Sequence, residues 1–148
     1  MGMIGGGPGS FIGRVHYMAA LLDGQIELVC GAFSSNPERS KITGAEYFLP
    51  PERVYDTYQD MIAAEAKLPE GKRMDFVCIV TPNHLHFEPA RLAMENGFHV
   101  ICDKPLAYSV EEAEALVKMK EETGLLFALT HTYAGYPMVK EARQLVQE

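Results

Sequence analysis

The run Met3-Ile4-Gly5-Gly6-Gly7-Pro8-Gly9-Ser10-Phe11-Ile12-Gly13 decides the fold. Within it an apolar stretch, Met3 to Gly5, passes through a glycine-rich turn into a helical segment that runs from about Phe11 to Leu22 and closes near Gly24. Glycines let the backbone turn sharply and approach a neighbour closely. A helix that starts directly afterwards presents free N–H groups and a partial positive charge, so the combination can cradle an anion. The match to the spacing GxGxxG is inexact. Gly5 and Gly7 supply the first two glycines, and the third is either Ser10 in strict register or Gly13 after an enlarged turn. Pro8, Gly9, Phe11 and Ile12 complete the loop. Its place between a strand and a helix favours the pyrophosphate of a dinucleotide over an ordinary tight turn.

Outward from this segment, short apolar runs alternate with longer stretches of helical period. Strands are predicted at Glu27 to Phe33, Asp75 to Thr81, Phe98 to Cys102 and Leu125 to Thr130, with a short piece around Arg53 to Tyr55. Phe76-Val77-Cys78-Ile79-Val80 and Leu28 to Phe33 are nearly continuous in apolar character, which marks strands covered on both faces of a parallel sheet. Helices are predicted from near Pro37 to before Pro50-Pro51, from Asn83 to Asn96, and after Ser109, where Ser109-Val110-Glu111-Glu112 forms a capping box and Gly124 a stop. Val110, Ala113, Leu116, Val117 and Lys120 trace the expected inner stripe of that last helix. Strand and helix in repeated alternation, with right-handed crossovers, give a doubly wound α/β domain, a Rossmann fold. In such folds ligands bind at the carboxyl ends of the strands.

The chain has 148 residues, 47% hydrophobic and 22% charged, which suits one compact domain with its own core. A formal charge of −7 disfavours nucleic acid and anionic membranes as partners. Cys30, Cys78 and Cys102 each lie in apolar runs without metal-site spacing, so they read as reduced core residues, and no metal is expected. No signal peptide or membrane span is legible, and a cytoplasmic location is expected.

Three further turns follow predicted strands. After the second comes Phe33-Ser34-Ser35-Asn36-Pro37-Glu38-Arg39, with Ser34 where an acid would grip a ribose 2′-hydroxyl. Ser34, Ser35 and Arg39 can instead receive a 2′-phosphate, so the reading leans to NADP over NAD. The competing reading has Asn36 or Ser35 as a helix cap and Arg39 in solvent. After the third strand comes Thr81-Pro82-Asn83-His84-Leu85-His86, in which Pro82 stiffens the turn, Asn83 is placed to cap the next helix, and the histidines line a cofactor pocket. After the fourth comes Asp103-Lys104-Pro105, whose lysine is a candidate for substrate orientation or proton transfer, tuned by desolvation.

The ordered set of a glycine-rich turn, Ile-Gly-x-x-His (Ile12, Gly13, His16), Thr-Pro-Asn-x-x-His (Thr81 to His86) and Asp-Lys-Pro (Asp103 to Pro105) resembles the cofactor domain of the Gfo/Idh/MocA family, which includes glucose-fructose oxidoreductase and inositol dehydrogenase. The resemblance runs from residue 3 to the end of the chain. It implies an NAD(P)-dependent dehydrogenase acting on a sugar, polyol or cyclitol hydroxyl. Asp103 would approach the nicotinamide ribose, Lys104 would contact cofactor and substrate, and Thr81, Pro82, Asn83 and His86 would flank the ribose. The chain departs from the pattern with Asp103 in place of the usual glutamate, with Ser34, with an enlarged glycine loop, and with Ala134 where many members carry an arginine.

The resemblance further implies a homo-oligomer and a second, larger substrate domain beginning after Pro137. Residues 1–131 are therefore expected to form the cofactor domain and residues 132–148 a connection and the start of that second domain, leaving this chain alone inactive. The rival readings are a non-catalytic dinucleotide sensor or scaffold and a methyltransferase. Ser34 argues against the latter, which would prefer an acid there.

Overall fold

A computed structural model of the chain describes residues 1–147. Five parallel strands, β1 (Gly2–Gly5), β2 (Cys30–Ala32), β3 (Phe76–Val80), β4 (His99–Cys102) and β5 (Phe127–Leu129), form one sheet in the order β2-β1-β3-β4-β5. An isolated parallel bridge from Val54 to Gly31 extends it beyond β2, so the expected piece at Arg53 to Tyr55 exists as a single bridge. The chain reverses its direction of winding between β2 and β3, on either side of β1. That switch point opens a crevice at the carboxyl ends of the strands.

Helices α1 (Phe11–Leu21), α2 (Pro37–Glu46), α3 (Tyr58–Glu65), α4 (Phe87–Glu95) and α5 (Val110–Thr123) make the crossovers. Their starts follow the sequence: Ser10, Asn36, Thr57 and Ser109 each accept a backbone N–H of the first turn. At α5 the capping box closes as Glu112 N–H donates to Ser109 Oγ, while Glu112 Oε2 accepts from Tyr108 N–H. Gly124 ends α5 in the left-handed conformation at φ 68°.

Two apolar layers sandwich the sheet. One gathers Ile4, Cys30, Met61, Ile62, Val77, Ile79, Met94, Phe98 and Val100, and the other Met3, Leu28, Phe33, Cys78 and Val80. Successive β3 residues thus enter opposite layers, and the continuous apolar run reflects cover on both faces.

Four expectations are corrected. Helix α3 has no counterpart in the sequence reading; its run of Met61-Ile62-Ala63-Ala64 is too short for periodicity to speak. The predicted helix at Asn83 begins as a 3-10 turn over Asn83–Leu85, and α4 starts only after His86, with no capping bond from Asn83's side chain. The strands at Glu27 and Leu125 shorten to three residues each, β2 and β5 being lateral strands of the sheet. On α5 only Leu116 of the expected stripe is buried. Val110 and Val117 are 68% and 51% exposed, because α5 turns Leu116 and the half-buried Met119 inward instead.

Beyond β5, a 3-10 turn (Thr132–Gly135) leads to helix α6 (Pro137–Gln147), in which no residue is buried.

Candidate functional site

Strand register sets the site. Gly5 pairs with Val80, Ile79 with Cys102, and Cys102 with Leu129, so Gly5, Val80, Asp103 and Thr130 stand at about one level on adjacent strands. At roughly 4.8 Å between strands, the turns after β1 and β4 are about 10 Å apart, with the Thr81 turn between them.

The glycine turn is a backbone cradle. Gly5 adopts φ 87°, and a Cβ there would lie 2.9 Å from the Val80 carbonyl, so only glycine fits. Gly7 O accepts from Ser10 N–H at 2.9 Å, tightening the loop through Pro8 and Gly9. Ser10 is the cap of α1, its Oγ accepting from Gly13 N–H at 3.4 Å. The residue that packs the helix onto the turn is Gly13, where a Cβ would sit 2.6 Å from Gly6 Cα. Of the two alternatives for the third glycine, the packing role falls to Gly13 and the capping role to Ser10. Phe11 and Ile12, at the first turn of α1, have backbone N–H groups directed out of the helix end, as an anion site requires; the Phe11 side chain is 80% exposed.

Beyond β2, Asn36 caps α2 through Glu38 and Arg39 N–H, and Ser34 Oγ accepts from Asn36 N–H at 3.2 Å. Ser35 is exposed. Arg39 is exposed but not adrift, because its Nη2 donates to Pro8 O at 2.8 Å. The guanidinium is thereby tied to the glycine turn. The Asn36 cap of the competing reading is thus present, while Arg39 is tied to Pro8 O instead of standing free in solvent.

At the far side, Thr130 Oγ1 donates to Asp103 Oδ1 at 2.7 Å, which aims the carboxylate from the end of β5. Asp103 N–H donates to Ile79 O. The sequence reading places Thr130 only as the end of a strand; a lone threonine there carries no site signal until the register is known. Lys104 is exposed, with no hydrogen bond or ion pair among the described residues. The Lys104–Pro105 peptide is cis.

His86 departs from expectation. Its ring is buried, with Nδ1 2.7 Å from Pro105 O and Nε2 3.0 Å from Thr81 O, so neither nitrogen is free to meet a cofactor. Both contacts are to backbone carbonyl oxygens, which only accept. Thr81 Oγ1 is likewise turned inward, donating to Leu85 O at 3.0 Å. Pro82, Asn83 and His84 are exposed at the edge. Beneath the turns, His16 Nδ1 lies 3.2 Å from Cys78 Sγ; burial lowers the pKa of His16, and Asp103 acts in the opposite sense. The three cysteines are buried and free, and burial pushes each thiol up to about 12.

A parallel sheet with a glycine turn opening α1 at its switch point, and polar turns at the same edge, defines a nucleotide-binding domain of the Rossmann class. The chain belongs to the Gfo/Idh/MocA oxidoreductase family, whose profile, described as an oxidoreductase family with an NAD-binding Rossmann fold, matches residues 1–131. It is 36% identical over 99% of its length to the uncharacterized oxidoreductase YfiI of Bacillus subtilis, covering 37% of that protein. It is 32% identical over 97% of its length to UDP-N-acetylglucosamine 3-dehydrogenase of Acidithiobacillus ferrooxidans, covering 40% of it. Among solved structures, an inositol dehydrogenase homolog from Azotobacter vinelandii, complexed with NADH and myo-inositol, superposes with TM-score 0.93 at 38% identity, over 99% of this chain and 38% of that one. The chain therefore spans about two fifths of the length of the relatives it matches. Among the described residues no helix is long and apolar enough to cross a membrane, and no cluster of metal-ligating side chains occurs.

Proposed function

We propose that this chain is the cofactor-holding part of an NAD(P)-dependent dehydrogenase that moves hydride between nicotinamide and the hydroxyl-bearing carbon of a sugar, polyol or cyclitol. The observation that carries the reading is the level edge of the sheet, where the glycine cradle, the Thr81 turn and Asp103-Lys104 stand side by side. The fit to a dinucleotide rests on the backbone: Gly5 leaves no room for a side chain, and the N–H groups of Phe11 and Ile12 face outward to receive a pyrophosphate.

When bound, nicotinamide supplies the hydride chemistry, and the protein supplies binding and orientation. In this reading Asp103, aimed by Thr130, accepts hydrogen bonds from the nicotinamide ribose. Lys104 Nζ holds or moves the proton of the substrate hydroxyl, which explains why its ammonium is unpaired in this chain. Substrate contacts come from the second domain, and the whole protein works in the cytoplasm as a homo-oligomer. Relatives named UDP-N-acetylglucosamine 3-dehydrogenase and levoglucosan dehydrogenase support the sugar class.

Ser34, Ser35 and Arg39 favour NADP, since no carboxylate stands there to repel a 2′-phosphate. Titration of the 148-residue chain with NADH and NADPH, followed by nicotinamide fluorescence, tests both parts. Binding of neither at millimolar concentration removes the cofactor reading. Arg39→Ala is expected to weaken NADPH about tenfold while leaving NADH within twofold, the scale of one charge-assisted hydrogen bond; equal effects on both would assign the site to NAD. In the whole protein, Lys104→Ala should lower kcat far more than it raises the Kd for cofactor.

A further inference from the structure

We propose that His86 is the positioning residue of this site, a clasp that holds the turn after β3 to the turn after β4 and so sets where Lys104 stands. The inference rests on the dinucleotide reading above. The ring is 1% exposed, and it spans from Thr81 O, at the end of β3, to Pro105 O, next to Lys104. Neither carbonyl receives another hydrogen bond among the described residues, so the ring is the sole polar link between these oxygens and any partner. The two strands themselves do not fix the turns. The last backbone bond between them runs from Asp103 N–H to Ile79 O, and beyond it the chains part.

The surroundings hold the clasp rigid. His86 N–H donates to Asn83 O at 3.3 Å, and Thr81 Oγ1 donates to Leu85 O, so the 3-10 turn and the first residue of α4's approach form one closed loop around the ring. His86 O accepts from Ala90 N–H, which ties the loop to α4. A buried ring lodged between two carbonyls orders the groups it links, whereas removal takes away both contacts and frees the lysine turn to drift. Arg39 lies beyond β1 from this loop, and the glycine turn meets it only where Gly5 packs on Val80 and the Thr81 backbone N–H, away from the ring of His86. His86 should therefore govern the nicotinamide half of the site and leave the adenine and pyrophosphate half alone.

ADP and NADH separate the two halves, because ADP lacks the nicotinamide ribose. With the 148-residue chain, His86→Ala is expected to weaken NADH about tenfold and ADP less than twofold, with His86→Gln, which retains amide donors, between wild type and alanine. If the alanine variant fails to fold, the glutamine variant is read on the same NADH-to-ADP ratio. Loss of both ligands by one factor would assign His86 a merely structural role and overturn the proposal, as would NADH affinity unchanged. Wild-type chain binding neither ligand would instead refute the dinucleotide reading itself.

Discussion

Gly13→Ala isolates the packing of α1 on the glycine turn. The added Cβ would lie 2.6 Å from Gly6 Cα, 3.3 Å from Gly6 O and 3.5 Å from Gly6 C, all backbone atoms that have no rotamer to yield. Ordinary carbon contacts are about 3.5–4.0 Å, so helix and turn must separate by about 1 Å. Overpacking of this kind costs about 1–3 kcal/mol. Alanine's better helix propensity offsets about 0.5–1 kcal/mol, and less near a helix start. The net loss is about 1–2 kcal/mol. In a chain of this length that lowers Tm by roughly 3–8 °C. The displaced turn also opens the cradle, and NADH should bind at least tenfold more weakly. Gly135→Ala is the control, since a Cβ there meets nothing within 4 Å and the position has no positive φ; it should stay within about 0.5 kcal/mol of wild type. Circular dichroism melts and nicotinamide fluorescence read the two effects. A Gly13→Ala chain that melts at or above wild type and binds NADH unchanged would refute the close-packing role.

Glu65 is buried on the amino side of the sheet, where it accepts from Arg53 Nη2 at 2.9 Å, Met74 N–H at 2.8 Å and Tyr55 Oη at 3.2 Å. Glu65→Gln should destabilise by about 3 kcal/mol in urea titrations, the low end for a broken buried pair because the Arg53 side chain is 21% exposed; a loss under about 1 kcal/mol would remove it as the hub joining α3 to the sheet edge. His16 has its pKa lowered from 6.5 in the folded chain, chiefly by burial, so the unfolded chain binds more protons as pH falls. Its contribution is present above pH 6.5 and is lost as pH falls from there through the folded value; His16→Gln should flatten the slope of the urea midpoint in that window, and an unchanged slope would contradict the assignment. With thiols pushed up to about 12, Cys30, Cys78 and Cys102 should resist a thiol reagent at about pH 8 in the native chain and all react in denaturant; rapid native labelling of any of them would contradict its burial.

The legible part of the fold is what local pattern carries. The glycine turn, the apolar runs of β1 and β3, and the caps at Asn36 and Ser109 all act within a few residues, and each stands where the sequence places it. Helix α3 escaped because its buried Met61, Ile62 and Glu65 face a sheet edge assembled from distant residues. The orientation of α5 escaped for a related reason. Val110, Ala113, Leu116 and Val117 form a plausible apolar stripe, and which part of so broad a stripe is buried depends on where α4 packs, which periodicity alone does not contain.

The same division runs through the site. Gly5, Asp103 and Lys104 were readable because a turn after a strand announces itself in sequence and the fold class assigns it an edge. The direction in which a side chain acts was not. His86 sits in a recognisable Thr-Pro-Asn-x-x-His run, yet its partners are two backbone oxygens, one of them 19 positions away, and backbone acceptors leave no trace in residue identity. Thr130 and Arg39 are similar: one reaches a carboxylate 27 positions back, the other a carbonyl 31 positions back. All three links join different strands' ends at the crevice, which gives them a common consequence. In the proposed reading Asp103 and Lys104 would be held from behind by Thr130 and His86, which would not touch the cofactor, so substitutions at His86 and Thr130 should alter the geometry of binding more than its chemistry. Lys104, held only through its backbone neighbours Asp103 and Pro105, is the group most exposed to that geometry.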